Sequence, residues 1–523
     1  MTRGAVALVA LAAVSLAGCV LLPLPPVGPQ VGKEEVKKLQ PGVSTRADVH
    51  AALGSPDRSV TQHYEIFEVS KEKGYLFGFF PVLLMMNVER VGAQDLRILA
   101  EYGPNDVMQN LNWEGRFQDS DLSGTYHYLS SSTPIAPSSQ GPEPALPTKP
   151  EPSLTWPVPE LQTNLPRTTS VAVASETPVV ALTYRVATVT FEGNISKLVS
   201  IDLRNSQTGS VLARVNKAPA GCPELFSPTR VWAPTVFLSD GRHLASVADD
   251  AVICVWDSET RRRVLTFEGH RKPRSFFGLT AGTQLTSLVA ARSVPILASA
   301  DGDNLVRVWD GLSGRDILAI EPCASGPGCG SWVAPSLSRL ALSDDGRLLG
   351  LLQSGADEDW LRLWDTTTGV EVGTITTPVK TSPRFASLVN LALSPDQRHV
   401  ALHMGDHIEV WSMVTAAGHA ANSPGTVFEL ERVLMVPPAY LSSFPLPAEA
   451  SYVNRTLAFS ADSRRLIAGD GMAIVWDTDD WRELWRAYPR SEGFALTADG
   501  RRVVSGCCVW DLPERDKSTV PAT

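Results

Sequence analysis

Residues 168–512 repeat one pattern of hydrophobic and polar positions. Each copy has a short apolar run, a polar turn built on Asp-x-Arg, a second apolar run, and a third that ends in tryptophan. Apolar runs this short, bounded by turn residues, are typical of β-strands rather than helices. The turns recur at Asp240, Asp345, Asp396, Asp462 and Asp499. The pattern therefore predicts a mainly β region built from repeated sheets.

Six third runs end in tryptophan, and their spacing gives the size of the repeat. They are Trp256, Trp309, Trp364, Trp411, Trp476 and Trp510, separated by 53, 55, 47, 65 and 34 residues. Short strands at this period are typical of β-propellers with four-stranded blades. A preceding copy with Ile201-Asp202 in place of Trp-Asp brings the predicted count to seven blades. Because an open ring leaves strand edges unpaired, a segment near residues 160–176 is predicted to supply the last outer strand.

This region resembles WD-repeat propellers, on the Trp-Asp pairs and on Gly269-His270. The resemblance implies that aspartates six positions before tryptophan cap a turn, namely Asp250, Asp303 and Asp470. A hydrogen-bonded tetrad is also implied, made of His270, Ser299, Asp303 and Trp309. These residues would be structural, like the six tryptophans, and the alternative for His270 is a metal ligand or general base. The loops of such a rigid scaffold carry recognition, and the resemblance implies protein binding.

Residues 33–128 have the pattern of a small α+β domain of order ααβββ. Val36 and Leu39 mark a first short helix, and Ser44 or Thr45 can cap a second one that Gly54 ends. Extended segments follow. One of them, residues 75–86, is almost continuously apolar. It is interpreted either as a buried strand pair or as an exposed loop that contacts the membrane or a partner.

The run LQPGVSTRADVHAALGSP in this domain resembles the BamE (SmpA/OmlA) lipoprotein family. The matching positions are Gly42, Thr45, Val49, Leu53, Gly54 and Pro56. The resemblance implies two helices before a three-stranded sheet, and an accessory, non-catalytic role in outer-membrane protein assembly. Unrelated proteins also use this fold, so the resemblance implies the architecture more directly than it implies the role.

The chain begins with the pattern of a signal peptide. Arg3 precedes an apolar stretch, residues 5–16, that is too short to span a bilayer. Leu16-Ala17-Gly18-Cys19 resembles a bacterial lipobox, which implies cleavage after residue 18 and lipidation of Cys19 with acyl chains such as palmitate. Val20 follows the cysteine instead of the aspartate that favours the inner membrane. The expected location is therefore the outer membrane, lipid-anchored and facing the periplasm.

Composition and charge add a linker and exclude one class of partner. Ten prolines lie in residues 129–167, which predicts an extended linker. The net charge of −10 argues against a general nucleic-acid binder and leaves the lipid to hold the chain at a membrane. The predicted segments are a signal peptide (1–18), a lipidated tether (19–32), the α+β domain (33–128), the linker (129–167), the propeller (168–512) and a tail (513–523).

Six cysteines remain after Cys19, without the spacing of a zinc site. Cys323 and Cys329 flank a flexible loop that a disulfide could close in an oxidising compartment. Cys254 is expected to be a buried free thiol. The adjacent residues Cys507 and Cys508 are expected not to pair, because neighbours in a strand point to opposite faces. No cofactor or metal site is predicted.

These patterns together predict a non-catalytic outer-membrane lipoprotein that acts as a protein-interaction scaffold. The expected partners are envelope proteins, with the outer-membrane assembly machinery or envelope integrity as candidate processes, and no nucleic acid. The long insertion between Trp411 and Trp476 is the candidate contact loop. The alternative is a small-ligand sensor or an enzyme at the central mouth of the propeller.

Overall fold

The computed structural model describes two compact units, residues 1–146 and 147–523. The described residues are 19–23, 38–71, 74–79, 88–90, 94–118, 126–130, 150–156, 167–190, 193–223, 235–248, 252–270, 274–276, 279–281, 285–301, 305–321, 339–354, 358–378, 390–404, 407–414, 426–436, 456–469, 472–487 and 493–514. The structure is mainly β in both units.

The first unit combines one described α-helix with two antiparallel sheets. Its elements are β1 (Cys19–Pro23), α1 (Arg46–Leu53), β2 (Arg58–Thr61), β3 (Tyr64–Lys71), β4 (Gly74–Phe79), β5 (Val88–Arg90), β6 (Gln94–Tyr102), β7 (Met108–Gln118) and β8 (Tyr126–Ser130). One sheet has the order β2-β3-β6-β7-β8, and the other has the order β1-β4-β5.

Helix α1 begins and ends where its sequence predicts. The Thr45 hydroxyl accepts the backbone N–H of Asp48, and the Asp48 carboxylate accepts the backbone N–H of Thr45, which together form a capping box. Gly54 ends the helix at a φ of 91°, a value that glycine adopts without a Cβ penalty. Val49 and Leu53 face the five-stranded sheet, where they join its buried hydrophobic core.

The first unit departs from the expected ααβββ order in three ways. Leu39, expected in a first helix, is buried in a non-helical turn, and Val36 lies outside the described residues. The larger sheet has five strands instead of three. Residues 19–23, expected in a tether, form β1, which pairs with β4 so that Cys19 is opposite Phe79. Part of the apolar segment 75–86 is β4, and residues 80–87 lie outside the described part of the chain.

The described residues of the second unit contain seven four-stranded antiparallel sheets and one hairpin. β9 (Leu154–Thr155) comes first in the chain. Sheet 1 has β10 (Arg167–Val173), β11 (Val179–Thr190), β12 (Gly193–Asn205) and β13 (Val211–Val215); sheet 2 has β14 (Thr235–Phe237), β15 (His243–Val247), β16 (Ile253–Asp257) and β17 (Arg263–Phe267); the hairpin is β18 (Arg274–Phe276) and β19 (Leu279–Ala281).

Sheet 3 has β20 (Leu285–Ala290), β21 (Ile296–Asp301), β22 (Val306–Asp310) and β23 (Asp316–Ile320); sheet 4 has β24 (Arg339–Leu342), β25 (Leu348–Ser354), β26 (Glu358–Asp365) and β27 (Glu371–Pro378); sheet 5 has β28 (Asn390–Leu393), β29 (His399–His403), β30 (His407–Val414) and β31 (Val427–Met435). Sheet 6 has β32 (Thr456–Phe459), β33 (Arg465–Gly469), β34 (Ala473–Asp477) and β35 (Glu483–Ala487); sheet 7 has β36 (Phe494–Leu496), β37 (Arg502–Ser505), β38 (Cys508–Asp511) and β9.

The seven sheets follow one another in a closed cycle. The first strand of each sheet contacts the first strand of the next, and β36 of sheet 7 contacts β10 of sheet 1. Hydrophobic clusters fill the spaces between successive sheets: Trp256 packs on Ile201 and Leu203 of sheet 1, and Trp510 packs on Val475 of sheet 6. The sheets therefore bury their faces against each other, as the repeated apolar runs require.

The strand that completes sheet 7 comes from further upstream than expected. β9 pairs with β38, so that Leu154 and Thr155 supply the outer strand. The prediction named residues 160–176, of which 160–166 lie outside the described residues and the rest belong to β10 or the turn after it. The start of the second unit also moves: residues 154–156, assigned to the linker by composition, belong to this fold.

Candidate functional site

Four buried side chains, one from the segment after sheet 2 and three from sheet 3, form one hydrogen-bonded chain. The Trp309 indole Nε1 donates to Oγ of Ser299 at 2.9 Å. Nε2 of His270 lies 2.7 Å from the same hydroxyl, and its Nδ1 lies 2.9 Å from Oδ2 of Asp301. Ser299 and Asp301 are fully buried, and His270 and Trp309 nearly so. The four groups therefore interact with each other in place of water.

The hydrogen bonds connect the indole to the carboxylate. The Trp309 N–H donates to the Ser299 hydroxyl, and the two ring nitrogens of His270 link that hydroxyl to Asp301. The other oxygen of Asp301 accepts the backbone N–H of Leu305 at 3.0 Å. This hydrogen-bonded chain thus ties the end of β21 to Leu305, the residue before β22, and its role is structural.

The acidic member of this chain is Asp301, two residues before the predicted Asp303. Asp303 lies outside the described residues, as do the two other predicted capping aspartates, Asp250 and Asp470. Counting a fixed distance back from tryptophan missed Asp301. A different signal in the sequence points to it: Ser299 and Asp301 alternate along one strand, so both side chains lie on the same face.

The six predicted tryptophans all lie in third strands, but their indole groups differ in their partners. Trp256 donates to Oγ of Ser246 at 3.1 Å, which resembles the arrangement in sheet 3. Trp411, which is only partly buried, donates to Glu409 at 3.1 Å. The buried Trp510 N–H has no hydrogen-bond partner among the described residues. The remaining two, Trp364 and Trp476, are buried between sheets.

Sheet 1 has an arginine where the other sheets have tryptophan. The strand bulge that precedes tryptophan in sheets 2 to 6 falls between Leu203 and Arg204 in sheet 1. Asn205 then takes the place of the following aspartate and accepts the backbone N–H groups of Gln207 and Thr208. The prediction of Ile201-Asp202 for this place was three residues out of register, because no tryptophan marked it.

Arg204 is fully buried at the junction of sheets 1 and 7 with a charged partner. Its guanidinium lies 3.5 Å from the buried Asp202 and 5.4 Å from the centre of the Trp156 ring. Arg214 binds the same carboxylate through two hydrogen bonds, of 2.9 and 2.8 Å. The network therefore places paired charges where the other sheets have an indole. The pairing is needed because an isolated buried charge would be strongly destabilising.

Trp156 holds the closing strand in place. Its backbone N–H donates to the Cys507 carbonyl at 2.9 Å, and its indole N–H donates to the Gly506 carbonyl at 2.9 Å. The Tyr184 hydroxyl donates to that same carbonyl at 2.8 Å, and burial raises the pKa of Tyr184 to about 12. Sheets 1 and 7 are thus joined through one carbonyl of the turn before β38.

The cysteine predictions need two corrections. Cys254 is paired with Cys222 and is not a free thiol; the bond ties β16 to the segment after sheet 1. Cys507 and Cys508 are bonded to each other. The prediction against this pair assumed that both residues lie within one strand, where neighbours point to opposite faces. Cys507 instead lies in the short turn between β37 and β38. Cys323 and Cys329, the predicted pair, lie outside the described residues.

The aspartate after tryptophan caps the turn between the third and fourth strands. Oδ1 of Asp257 accepts the backbone N–H groups of Glu259 and Thr260, and Oδ2 accepts Nε of Arg242 at 2.6 Å. Burial alone would raise the pKa of Asp257, but these hydrogen bonds lower it to about 2. The same turn contacts recur at Asp310 and Asp365. This residue type is therefore structural.

Exposed aliphatic side chains lie beside these turns in sheets 1 to 5. We call them the aliphatic rim: Val211, Leu212, Val264, Leu312, Val370, Val414 and Val427, which are 41 to 56% exposed. Because the sheets share one topology, these turns occupy the same edge of each sheet. In sheet 6 the corresponding turn holds Trp481, which is buried and donates to Glu431. Most of the predicted contact loop, residues 437–450, lies outside the described residues.

Two searches of the described residues give negative results. No group of three or more His, Cys, Asp or Glu side chains there could hold a metal ion. Nor does any helix in the described part of the chain have the length and apolar character needed to cross a membrane.

Comparison with known protein families finds a match that includes the first three strands of sheet 2. The WD40 family model (WD domain, G-beta repeat) matches residues 227–257, which end at Trp256-Asp257. The chain is also similar to the eukaryotic translation initiation factor 3 subunit I of Coccidioides immitis (strain RS), with 35% identity over 74 residues. That match covers 14% of this chain and 22% of the other protein, so the chain spans about a fifth of the relative. The chain therefore contains a WD40 repeat.

Proposed function

We propose that this chain with its WD40 repeat is a non-catalytic protein-interaction scaffold whose second unit is a seven-bladed β-propeller. WD-repeat proteins typically act in this way, and the match to residues 227–257 supports the assignment. The observation that carries the proposal is the closed cycle of seven sheets, joined from β36 to β10 and completed by β9. A ring of this kind is rigid and presents its turns for recognition.

The aliphatic rim is the proposed contact surface. In sheets 2, 3 and 4 its side chains lie on or beside turns that Asp257, Asp310 and Asp365 cap, so little conformational entropy is lost when a partner binds. Exposed apolar side chains repeated on one edge of five sheets fit the apolar surface of another protein. The relative's name describes a translation initiation factor subunit, but the shared segment supports only the repeat.

We place the protein in the envelope, anchored in the outer membrane by lipid on Cys19 and facing the periplasm. The lipobox-like sequence supports the anchor. The disulfides Cys222–Cys254 and Cys507–Cys508 support an oxidising compartment, since structural disulfides are rare in the cytosol. Envelope proteins are the proposed partners, with the outer-membrane assembly machinery as a candidate, and the first unit would be an accessory module of the BamE-like type.

Site-specific photo-crosslinking in the native cells tests the scaffold proposal. A photoreactive residue replaces Val264, Leu312 or Val370 on the rim, and matched controls carry it at the exposed Ala319 or Thr376, which lie within the fourth strands of sheets 3 and 4. We expect the rim positions to yield the same envelope-protein adduct and the controls to yield none. Rim positions that give no adduct, or the same adducts as the controls, would contradict the proposal.

The anchor has a separate test. Labelled palmitate should enter the wild-type chain and not the Cys19→Ala variant, and the wild type should fractionate with the outer membrane. Equal labelling of both chains would reject lipidation of Cys19, and a wild type in the inner-membrane fraction would reject the location.

A further inference from the structure

The first strands of all seven sheets surround a central channel. Its volume is about 420 Å³, within the range of about 300–1,000 Å³ that is usual for small-molecule pockets. The lining combines apolar side chains such as Phe237 and Phe459 with serine, threonine and arginine residues of the first strands and the turns after them. The channel is therefore large enough for a metabolite.

The channel lining is positively charged, although the chain as a whole has a net charge of −10. The described residues that line it include Arg292 and Arg339 and no aspartate or glutamate. Arg292 donates to the Phe459 carbonyl at 2.9 Å, and its Nε lies 3.8 Å from Asp344 outside the lining. A carboxylate-free lining with two guanidinium groups attracts anions.

Arg339 supplies this charge at one end of the channel. It is the first residue of β24 and is only partly exposed. Burial lowers the pKa of Arg339 to about 10, so the guanidinium stays protonated at neutral pH. A charge that has lost most of its water interacts strongly with an anion that reaches it.

Two polar residues stand at the same level as Arg339 on the next two sheets. Asn390 is the first residue of β28, and Thr456 is the first residue of β32. All three residues line the channel, and their first strands lie next to each other from sheet 4 to sheet 6, so they form an arc of its wall. The Thr456 hydroxyl already donates to the Phe494 carbonyl at 3.3 Å, so the guanidinium and the carboxamide are the donors that suit an oxyanion.

We propose that the Arg339 end of the central channel binds a small anionic ligand through a carboxylate or phosphate group. Arg339 pairs with the anion, Asn390 donates a hydrogen bond to it, and the apolar lining accommodates the rest of a ligand of metabolite size. This site goes beyond the scaffold function and does not depend on it, since the rim and the channel are made of different residues. Binding would couple the channel to sheets 4, 5 and 6, which supply the arc.

Isothermal titration of the mature full-length chain with inorganic phosphate and, separately, citrate tests the proposal. The buffer holds 150 mM chloride so that exposed arginines are screened, as expected at about this ionic strength. We expect at least one of the two anions to bind, and Arg339→Gln to weaken it tenfold or more. The matched control Arg315→Gln removes the same charge from an exposed turn and should bind within twofold of wild type.

Two milder variants keep the test decisive if Arg339→Gln does not fold. Arg339→Lys keeps the charge but loses the planar donor pair, and Asn390→Ala keeps the charge and removes one donor. Each is expected to weaken binding about three- to tenfold, in line with the loss of a charge-assisted or neutral hydrogen bond. Wild-type affinity in both variants, or binding of neither anion to the wild type at 10 mM, would overturn the proposal.

Discussion

Replacing Ser299 with alanine should destabilise the second unit far more than the loss of one hydroxyl suggests. The hydroxyl contacts both Nε2 of His270 and Nε1 of Trp309, and all three groups are buried. Ser299→Ala leaves two buried polar atoms without their partner. Each such atom costs about 1–3 kcal/mol, so the free energy of unfolding should fall by about 2–6 kcal/mol.

A double-mutant cycle separates this effect from lost packing. Trp309→Phe removes the indole N–H, so Ser299→Ala in that background leaves only His270 without its partner. The serine substitution should then cost about 1–3 kcal/mol less, which is the coupling energy between Ser299 and Trp309. The control pair is Ser299 with Trp485, a buried tryptophan in sheet 6 whose N–H has no partner among the described residues.

Urea unfolding followed by tryptophan fluorescence measures these energies. The chain has 13 tryptophans and only Trp113 lies in the first unit, so the signal reports the second. The Ser299 and Trp485 substitutions should be additive within about 0.5 kcal/mol, as expected for distant sites. Equally additive behaviour of Ser299 and Trp309 would show that the hydrogen-bonded chain does not act as described.

Three further predictions use the same titration. Trp156→Ala should lower the free energy of unfolding by about 3–5 kcal/mol because it opens a cavity beside the closing strand, and Trp156→Phe should lower it by only about 1–2 kcal/mol. Equal and negligible losses in both variants would mean that the strand is not packed. Cys222→Ala opens a loop with a sequence separation of 32 and should cost about 4 kcal/mol under oxidising conditions, with no difference from wild type in reductant. The pKa of Asp257 is lowered to about 2, so its stabilising effect is present above the unfolded pKa near 4 and is lost as the pH falls towards 2. Asp257→Asn should remove about 2 kcal/mol of this pH dependence of the free energy of unfolding. Identical pH profiles of stability for the variant and the wild type would contradict the prediction.

The repeated parts of the fold could be predicted from the sequence because they have a period. Short apolar runs, Asp-x-Arg turns and tryptophans locate the strands of sheets 2 to 7, and the capped helix α1 is set by Thr45 and Gly54. The WD40 match to residues 227–257 agrees with this pattern in sheet 2. Local signals are enough where every copy has the same neighbours.

The parts that the sequence missed depend on single contacts between distant residues. β9 has two residues and no period, so only its pairing with β38 shows what it does. Arg204 replaces tryptophan because Asp202, Arg214 and Trp156 lie around it, and no local pattern announces that exchange. Asp301 was missed because it lies eight residues before Trp309, whereas the prediction counted six.

The cysteine pairs escaped prediction for a similar reason. Cys222 reaches Cys254 only because the segment after sheet 1 returns to sheet 2, where Ala220 bridges Arg262. Cys507 and Cys508 pair because Cys507 lies in the turn before β38, so the two residues are not neighbours within one strand. The spacing of the cysteines along the sequence indicates neither of these two disulfides.

Hydrogen exchange at the closing strand tests the central claim, that the second unit is one closed ring of seven sheets. In the full-length chain, peptides covering residues 153–156 and 507–511 are compared with the core strand β37. The account predicts that the amides of Trp156 and Val509 exchange slowly, close to the rate of β37, since their N–H groups face the partner strand in the pairing of β9 with β38. Exchange of residues 153–156 within seconds, at the rate of an unstructured segment, would show that the ring is open.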